Sequence, residues 1–563
     1  MISKKKHIQQ LASLLLAHEI DDIIISPGSR NGPLTHTFAG SGLFNCRNIV
    51  DERSAAYFAM GLAQAKQKPV VIVCSSGTAT LNYAPAIAEA FYMNVPLIVL
   101  TADRPDYWID QAESQCIRQD NIYQNFTKKG IRLPLGETEK ELWFAARQIN
   151  ECLNLATAEI PAPIHINIPM EEPLHDIEDG KLPSVKIIEQ AKTESILDSA
   201  ELNQLASTFN QTTKILILAG QQMPNPGLEN QLAELVKKSG AVVLKEHLAN
   251  LNHPVFCSSI DTLMASLLTD KLENFQPDLL ISFGGQFVSK SLKQFLRKYQ
   301  AKNHWHLSLS GKHFDTYQSL TKVIKLDAAD FFTQLPVENN TTEKIYFDRW
   351  KKKEKQVIQL RNEFMQKTGF CDLSVFEQVQ TAIPENSSIH LGNSSPVRYG
   401  LILDPVKNCH YFGNRGTSGI DGSLSTAVGF ACESEKINTV ILGDLSFFYD
   451  SNALWNKYIG SNLRVIVINN RGGNIFSLIK GPDESPAFQE HFFTENKFKA
   501  EGITKTFELD YFKAENKAEL EIALSDFYSP QQQKAAVLEI FTNAEINTQQ
   551  FRELFKYVKT KKQ

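Results

Sequence analysis

The sequence predicts an α/β protein made of three doubly wound parallel-sheet domains, and three observations carry that expectation. Short apolar runs rich in β-branched residues alternate with helix-like stretches, the rhythm of βαβ units in a sheet covered on both faces. Polar stretches near 175–200 and 337–356 interrupt this rhythm twice. The length, 563 residues, is too great for one core and suggests roughly three domains of ~150–200 residues each. The expected boundaries are 1–180, 181–340 and 341–563.

The chain opens with MISKKKHIQQLASLLLAHEI, whose lysines and leucines imitate a secretion signal. Ile8, Leu11, Leu15 and Leu16 nevertheless fall at helical spacing beside glutamines, and His18-Glu19 stands where small residues would mark cleavage. An amphipathic first helix is therefore expected. Strands follow in DIIIS (22–26), PVVIVC (69–74), PLIVLT (96–101) and IHINIP (164–169). The second block supplies KILILAG (214–220), AVVLKE (241–246) and PDLLISFGG (277–285). The third supplies SIHLGNSS (388–395), CHYFGNRG (409–416), NTVILGDLS (438–446), LRVIVINNRGG (463–473) and AAVLEIFTN (535–543). In the first and third blocks each strand runs into a Gly/Ser/Asn-rich turn and then a helix. Ligands of parallel sheets bind outside the carboxyl ends of strands, so chemistry is expected in those turns.

Composition narrows the partners. With 58 basic and 63 acidic side chains the net charge is -5, which gives no electrostatic reason to expect nucleic acid. No apolar run approaches the ~18 residues that span a bilayer. Eight scattered cysteines without C-x-x-C or paired metal-ligand spacing read as reduced thiols of a cytoplasmic protein.

The most specific signal is GDLS (443–446) followed by NNRGG (469–473), each directly after an apolar strand. One strand-helix-strand excursion separates Asp444 from Asn470 and returns both side chains to the same sheet edge. A hard cation such as Mg²⁺ takes about six oxygen ligands and often shares them with phosphates. The Asp444 carboxylate, the Asn470 side-chain carbonyl and the Gly472 backbone carbonyl provide three oxygens. Glycines 443, 472 and 473 allow close backbone approach, and the helix after GDLS points N–H groups at an anion.

This paired signature resembles the thiamine diphosphate motif of the pyruvate-decarboxylase-like superfamily, whose members have a pyrimidine-binding domain, a middle Rossmann-like domain and a diphosphate-binding domain. Within it, SPGSRNGPL (26–34), VDERSAAYFAMGLA (50–63), SSGTATLNYAPAIAEA (75–90), TADRP (101–105), QCIRQ (115–119), LGNSSPVR (391–398), NRGTSGIDGSLSTAVG (414–429), GDLSFFYDSNAL (443–454) and NNRGGNIFSLI (469–479) resemble the MenD family. These are menaquinone-pathway synthases that join 2-oxoglutarate to isochorismate. The likeness is specific in the outer blocks and mainly architectural in the middle one.

The resemblance implies three domains of the thiamine diphosphate-dependent type. It also implies decarboxylation of 2-oxoglutarate and conjugate addition of the succinyl unit to isochorismate, with thiamine diphosphate and Mg²⁺, or alternatively Mn²⁺, as cofactors. A homodimer or homotetramer is implied as well. Glu52, at the mouth of an apolar helix, is ambiguous from local sequence, because an acid there suits a helix start. The resemblance makes it the catalytic glutamate against the cofactor's pyrimidine ring, where an apolar pocket strengthens the hydrogen bond. Ile420 takes the position of the bulky side chain beneath the bent cofactor. Ser394, Gly443, Asp444, Leu445, Ser446, Asn470 and Gly472 complete the implied cofactor site.

Both substrates are dianions, and guanidinium groups bind carboxylates in bidentate fashion. Arg30, Arg104, Arg118, Arg398 and Arg415 all lie in turns after strands or at helix starts. By resemblance, Ser394, Arg398 and Arg415 hold the donor part, while Ser29, Arg30, Arg104 and Gln115 hold isochorismate. Ile475, Phe476 and Ile479 form an apolar wall. Lys290 is the middle domain's contribution, with Ser291 where some relatives carry arginine. An acetolactate-synthase-like carboligase would share Glu52 and Asp444 but need fewer carboxylate-binding arginines. A regulatory protein on the same fold is disfavoured by the intact glutamate and metal set.

Overall fold

The structure, a computed structural model, describes all residues except 192, 194, 269, 340–343, 480 and 561–563. The chain forms two compact units. One comprises Met1–Lys192, Asn414–Glu435 and Phe448–Leu463, and the other Thr193–Gly413, Lys436–Phe447 and Arg464–Gln563.

The first unit is organised on a six-stranded sheet in the spatial order Asn45–Asn48, Asp22–Ile25, Val70–Cys74, Leu97–Asp103, Ile164–Pro169 and Gly130–Arg132. Every neighbouring pair is parallel. Val70–Cys74 and Leu97–Asp103 are buried along their whole length, which is why they read as unbroken apolar runs. The amphipathic opening forms helix Lys6–Ala17 and buries Ile8, Leu11 and Leu15 in this core. Among the described residues no helix is long and apolar enough to cross a membrane.

The second unit carries two sheets. A five-stranded parallel sheet runs Val242–Lys245, Ile215–Ala219, Leu279–Phe283, Asn303–Leu307 and Lys322–Ile324. A six-stranded sheet runs His410–Phe412, Ser388–Leu391, Asn438–Gly443, Leu463–Asn469, Ala536–Phe541 and Asp510–Ala514. Numbered by chain order within each sheet, both six-stranded sheets follow the order 2-1-3-4-6-5. The repeated strand-turn-helix habit of the first and third blocks is thus a repeated topology. In each, the chain reverses its winding between the first and third strands of the sheet, and a crevice opens at their carboxyl ends.

The two polar stretches resolve differently. In 175–200, Ile177–Glu178 pairs antiparallel with Ile2–Ser3, and side chains of Ser13, Asn150 and Asn154 donate to the carbonyls of Pro183, Lys186 and Ile188. Its residues 192 and 194 lie outside the described residues. Of 337–356, residues 340–343 also lie outside them, but from Ile345 the chain is a helix that continues to Met365 rather than a polar connection. Tyr346, Trp350 and Val357 recur at helical spacing and bury against Leu216, Leu218 and Leu280, while Lys352 and Lys355 are exposed.

Candidate active site

In the first unit, helix Glu52–Lys66 begins where Asp51 accepts the N–H of Ser54 at 3.1 Å. Asp51 is therefore the cap, and Glu52 is left half-buried in the first turn. Burial pushes the Glu52 carboxyl above its ordinary range, its own N–H pulls it back, and the Asp51 charge adds to the rise. Glu52 acts electrostatically on Cys74 and Tyr83, both fully buried at the end of strand Val70–Cys74 and in the helix after it.

This helix packs against Ser423–Ala431 at a crossing that only glycine permits. A Cβ on Gly61 would lie 1.9 Å from the Thr426 carbonyl oxygen, and one on Gly429 would lie 2.0 Å from that of Phe58. The preceding loop, which carries Arg415 and Ile420, is held from both sides. Glu89 accepts the N–H groups of Gly416 (2.6 Å) and Thr417 (2.7 Å), and the Tyr57 hydroxyl donates to Asp421 at 3.1 Å. Glu52, Ile420 and Arg415 are thus fixed by one helix pair and its entering loop.

At the crevice of the same sheet, the loops after Asp22–Ile25 and Val70–Cys74 approach so closely that a Cβ on Gly28 would meet Ser75 Cβ at 2.4 Å. Arg30 is buried, donating to the Met170 carbonyl (3.3 Å) and Glu172 (3.2 Å). Desolvation, and then the charge of Arg104, lower its proton affinity. Arg104 donates to the Ser114 carbonyl at 3.0 Å and pairs with Glu113 at 3.1 Å. The two guanidiniums repel one another, and each is paired with a carboxylate, Glu172 and Glu113 respectively. The Gln115 backbone lies 3.3 Å from the Cβ position of Gly77, and Ser29 is exposed. Arg118, by contrast, is 82% exposed and paired with Asp110. Sequence reading missed Arg132, which donates to Asp103 (3.0 Å), Asp120 (3.1 Å) and Asp106 and so ties down the loop bearing Arg104.

In the second unit, Asp444 opens helix Asp444–Tyr449 at the end of strand Asn438–Gly443, and Asn470 follows Leu463–Asn469. Asp444 is 1% exposed, and burial pushes its carboxyl up to about 7 despite a 2.7 Å hydrogen bond from the Asn496 amide. The Asn470 amide nitrogen donates to Asp372 at 3.0 Å, while its carbonyl oxygen is buried without a hydrogen-bond partner. Gly472 adopts φ 156°, where a Cβ would meet the Phe493 carbonyl at 2.6 Å; its own carbonyl accepts the Asn474 N–H at 2.9 Å. A Cβ on Gly443 would meet nothing within 4 Å. Leu445 is half-buried and Ser446 buried beside them. A desolvated carboxylate, an orphaned amide oxygen and an open glycine edge form an all-oxygen donor set that fits a hard divalent cation carrying a diphosphate.

Arg398, on helix Ser395–Ile402, donates to the Ser394 carbonyl at 2.6 Å; Ser394 itself sits at φ 74°. Desolvation lowers the Arg398 proton affinity and the charge of Asp261 opposes this. Asp261 in turn accepts from Ser289, the cap of helix Lys290–Lys298, and Glu246 takes the N–H groups of Val288 (2.7 Å) and Ser289 (2.8 Å). Lys290 is thus exposed at a firmly anchored helix start. Ile475 and Phe476 are half-buried and Ile479 exposed around the short helix Ile475–Leu478, with Phe476 edge-on to Phe492 at 5.7 Å.

Comparison with known proteins fits this geometry. The family described as "Thiamine pyrophosphate enzyme, N-terminal TPP binding domain" matches residues 6–124, and "Middle domain of thiamine pyrophosphate" matches residues 185–391. Fold and matched domains define a thiamine pyrophosphate enzyme. A 2-succinyl-5-enolpyruvyl-6-hydroxy-3-cyclohexene-1-carboxylate synthase of Flavobacterium johnsoniae is 40% identical over 97% of this chain and 98% of its own. Synthases of the same name from Phocaeicola vulgatus and Bacteroides thetaiotaomicron are 37% and 38% identical over the whole of both chains. The chain belongs to the 2-succinyl-5-enolpyruvyl-6-hydroxy-3-cyclohexene-1-carboxylate synthase family.

Proposed function

We propose that this chain decarboxylates 2-oxoglutarate and adds the succinyl unit to isochorismate, giving 2-succinyl-5-enolpyruvyl-6-hydroxy-3-cyclohexene-1-carboxylate and CO₂ in menaquinone biosynthesis. The observation that carries this reading is its end-to-end similarity to synthases of that name. When bound, thiamine diphosphate supplies the nucleophilic carbon and the electron sink that decarboxylation requires.

The chain's own residues do the rest. Glu52, in a pocket that raises its proton affinity, holds a proton at the pyrimidine ring nitrogen. Asp444, Asn470 and Gly472 hold Mg²⁺ or Mn²⁺ by oxygen, and Gly443, Leu445 and Ser446 lie along the diphosphate. Ile420 supports the cofactor from the glycine-crossed helix pair. Arg398, Ser394 and Arg415 hold donor carboxylate, and Arg30 and Arg104, with Ser29 and Gln115, hold the acceptor's carboxylates. Ile475, Phe476 and Ile479 exclude water from the acceptor ring, and Lys290 adds a cation from the middle domain. The working unit is a homodimer or homotetramer in the cytoplasm, with domains 1–180, 181–340 and 341–563.

Mass spectrometry of the product formed from 2-oxoglutarate, isochorismate, thiamine diphosphate and Mg²⁺ tests the reaction. Glu52→Gln keeps the size of the side chain but not its acidity, and should slow exchange of the cofactor's thiazolium C2 proton at least ~10²-fold. An unchanged exchange rate would return Glu52 to a helix-terminal role.

A further inference from the structure

We propose that Asp372 is a positioning residue that fixes which face of the Asn470 amide meets the divalent cation, an inference that rests on the metal reading proposed above. An asparagine amide has two ends of nearly equal size, and only one can ligate a cation. If the amide flips, the cation meets an NH₂ group. Some neighbour must therefore discriminate between oxygen and nitrogen.

Asp372 does this because an ionised carboxylate accepts hydrogen bonds and cannot donate them. Its Oδ2 lies 3.0 Å from Asn470 Nδ2, so the NH₂ end must face Asp372 and the carbonyl end must face away. That carbonyl oxygen is the one buried without a partner. The carboxylate is not capping its own helix. Although Asp372 begins helix Asp372–Ala382, its side chain turns across the sheet edge to groups 98 and 170 residues away in sequence.

The carboxylate is itself oriented by a directed hydrogen-bond circuit. Thr542 Oγ1 donates to Asp372 Oδ1 at 2.5 Å. The Asn547 amide nitrogen donates to Thr542 Oγ1 at 3.1 Å, so the hydroxyl's single proton is left for Asp372. The circuit closes where the Asp372 N–H donates to Asn547 Oδ1 at 2.8 Å. Each donor and acceptor has one role, and the sense of the circuit ends at Asn470 with its oxygen outward. At the neighbouring ligand the Asn496 amide nitrogen donates to Asp444 Oδ2 at 2.7 Å.

The test is Mn²⁺ binding to the full-length protein in the presence of thiamine diphosphate, followed by electron paramagnetic resonance of the free ion. Asp372→Asn preserves shape but removes the discrimination, and should weaken Mn²⁺ binding by about 10- to 100-fold. Thr542→Val, which only loosens the carboxylate, should give a smaller loss and guards against a misfolded first variant. Neither change should cost anything further in an Asn470→Ala background, because the residue being oriented is gone. Wild-type Mn²⁺ affinity in Asp372→Asn, or a loss that persists undiminished in Asn470→Ala, overturns the proposal while leaving the metal site standing. Wild-type affinity in Asp444→Ala would instead overturn the metal reading and this inference with it.

Discussion

Replacing Gly61 by alanine tests whether the helix crossing behind Glu52 is as tight as it looks. The added Cβ would fall 1.9 Å from the Thr426 carbonyl oxygen and 2.8 Å from the Phe430 nitrogen. A carbon-oxygen contact needs about 3.3 Å, so the helices must part by about 1.4 Å. Both offending atoms are backbone and cannot rotate away. Alanine also favours a helix by about 1 kcal/mol over glycine. Overpacking a close-packed contact costs about 1–3 kcal/mol, and a backbone overlap belongs at the upper end, so the net effect should be destabilising. Gly502 provides the control. It sits exposed inside helix Ala500–Thr506 with nothing within 4 Å of its Cβ position, so Gly502→Ala should stabilise by about 0.5–1 kcal/mol. Denaturation midpoints of the two variants should therefore move in opposite directions. Thiamine diphosphate affinity should fall only in Gly61→Ala, where the helices carrying Glu52 and following Ile420 are displaced. A Gly61→Ala protein as stable as the parent would refute the packing argument.

Two further expectations follow from buried charges. Asp450 is fully buried and accepts the N–H (2.7 Å) and hydroxyl (2.6 Å) of Ser425, yet burial pushes its carboxyl up to about 7. A raised folded-state value means the folded chain holds the proton more tightly, so this contribution is complete below about pH 4 and is lost as the pH rises through about 7. The thermal stability of the parent should therefore fall from pH 5 to 8 relative to Asp450→Asn; parallel profiles would exclude the effect. At Arg398, losing one charge-assisted contact costs ~1.5–3 kcal/mol, about a 10- to 100-fold preference for 2-oxoglutarate over pyruvate. Arg398→Ala should erase much of that preference in donor-only decarboxylation rates, and equal use of the two donors by the parent would favour an acetolactate-type activity.

The central strands were legible because burial on both faces makes them continuous apolar runs, as in VVIVC and LIVLTAD. Several edge strands were not. NCRN (45–48), GIR (130–132) and DYFKA (510–514) are short or half-exposed, and their pairing comes from a neighbour rather than from their own pattern. Strand NHWHL (303–307) escaped for another reason. His304 and His306 look like surface residues, but Ser282 bridges them at 2.8 and 2.9 Å inside the fold. The Asp444–Asn470 pair was legible because each side chain directly follows a strand, whereas Asp372 and Asn496 were not, because they arrive from 98 and 52 residues away. A lone Asp at a helix start reads as a cap, and only the fold reveals that its carboxylate is turned elsewhere.

The adjacent acids of "VDERS" show the same limit at its sharpest. Either acid can cap a helix, and no local pattern assigns the role. The fold assigns it through the neighbours' obligations. Asp51 accepts the Ser54 N–H with one oxygen and the Asn452 amide, at 2.6 Å, with the other. Arg53 donates to the Tyr449 carbonyl at 2.6 Å and lies 4.6 Å over its ring. Both flanking side chains are thereby committed to fixing the helix start against the segment 449–452. Glu52, between them, is directed into surroundings that include the fully buried Cys74 and Tyr83, where a charge is unfavourable. Asp51 already takes the Ser54 N–H, and Glu52 is left a half-buried carboxyl beside a second acid. The proton exchange with a ring nitrogen proposed for Glu52 suits that environment, because raising its proton affinity brings it closer to that of such a base.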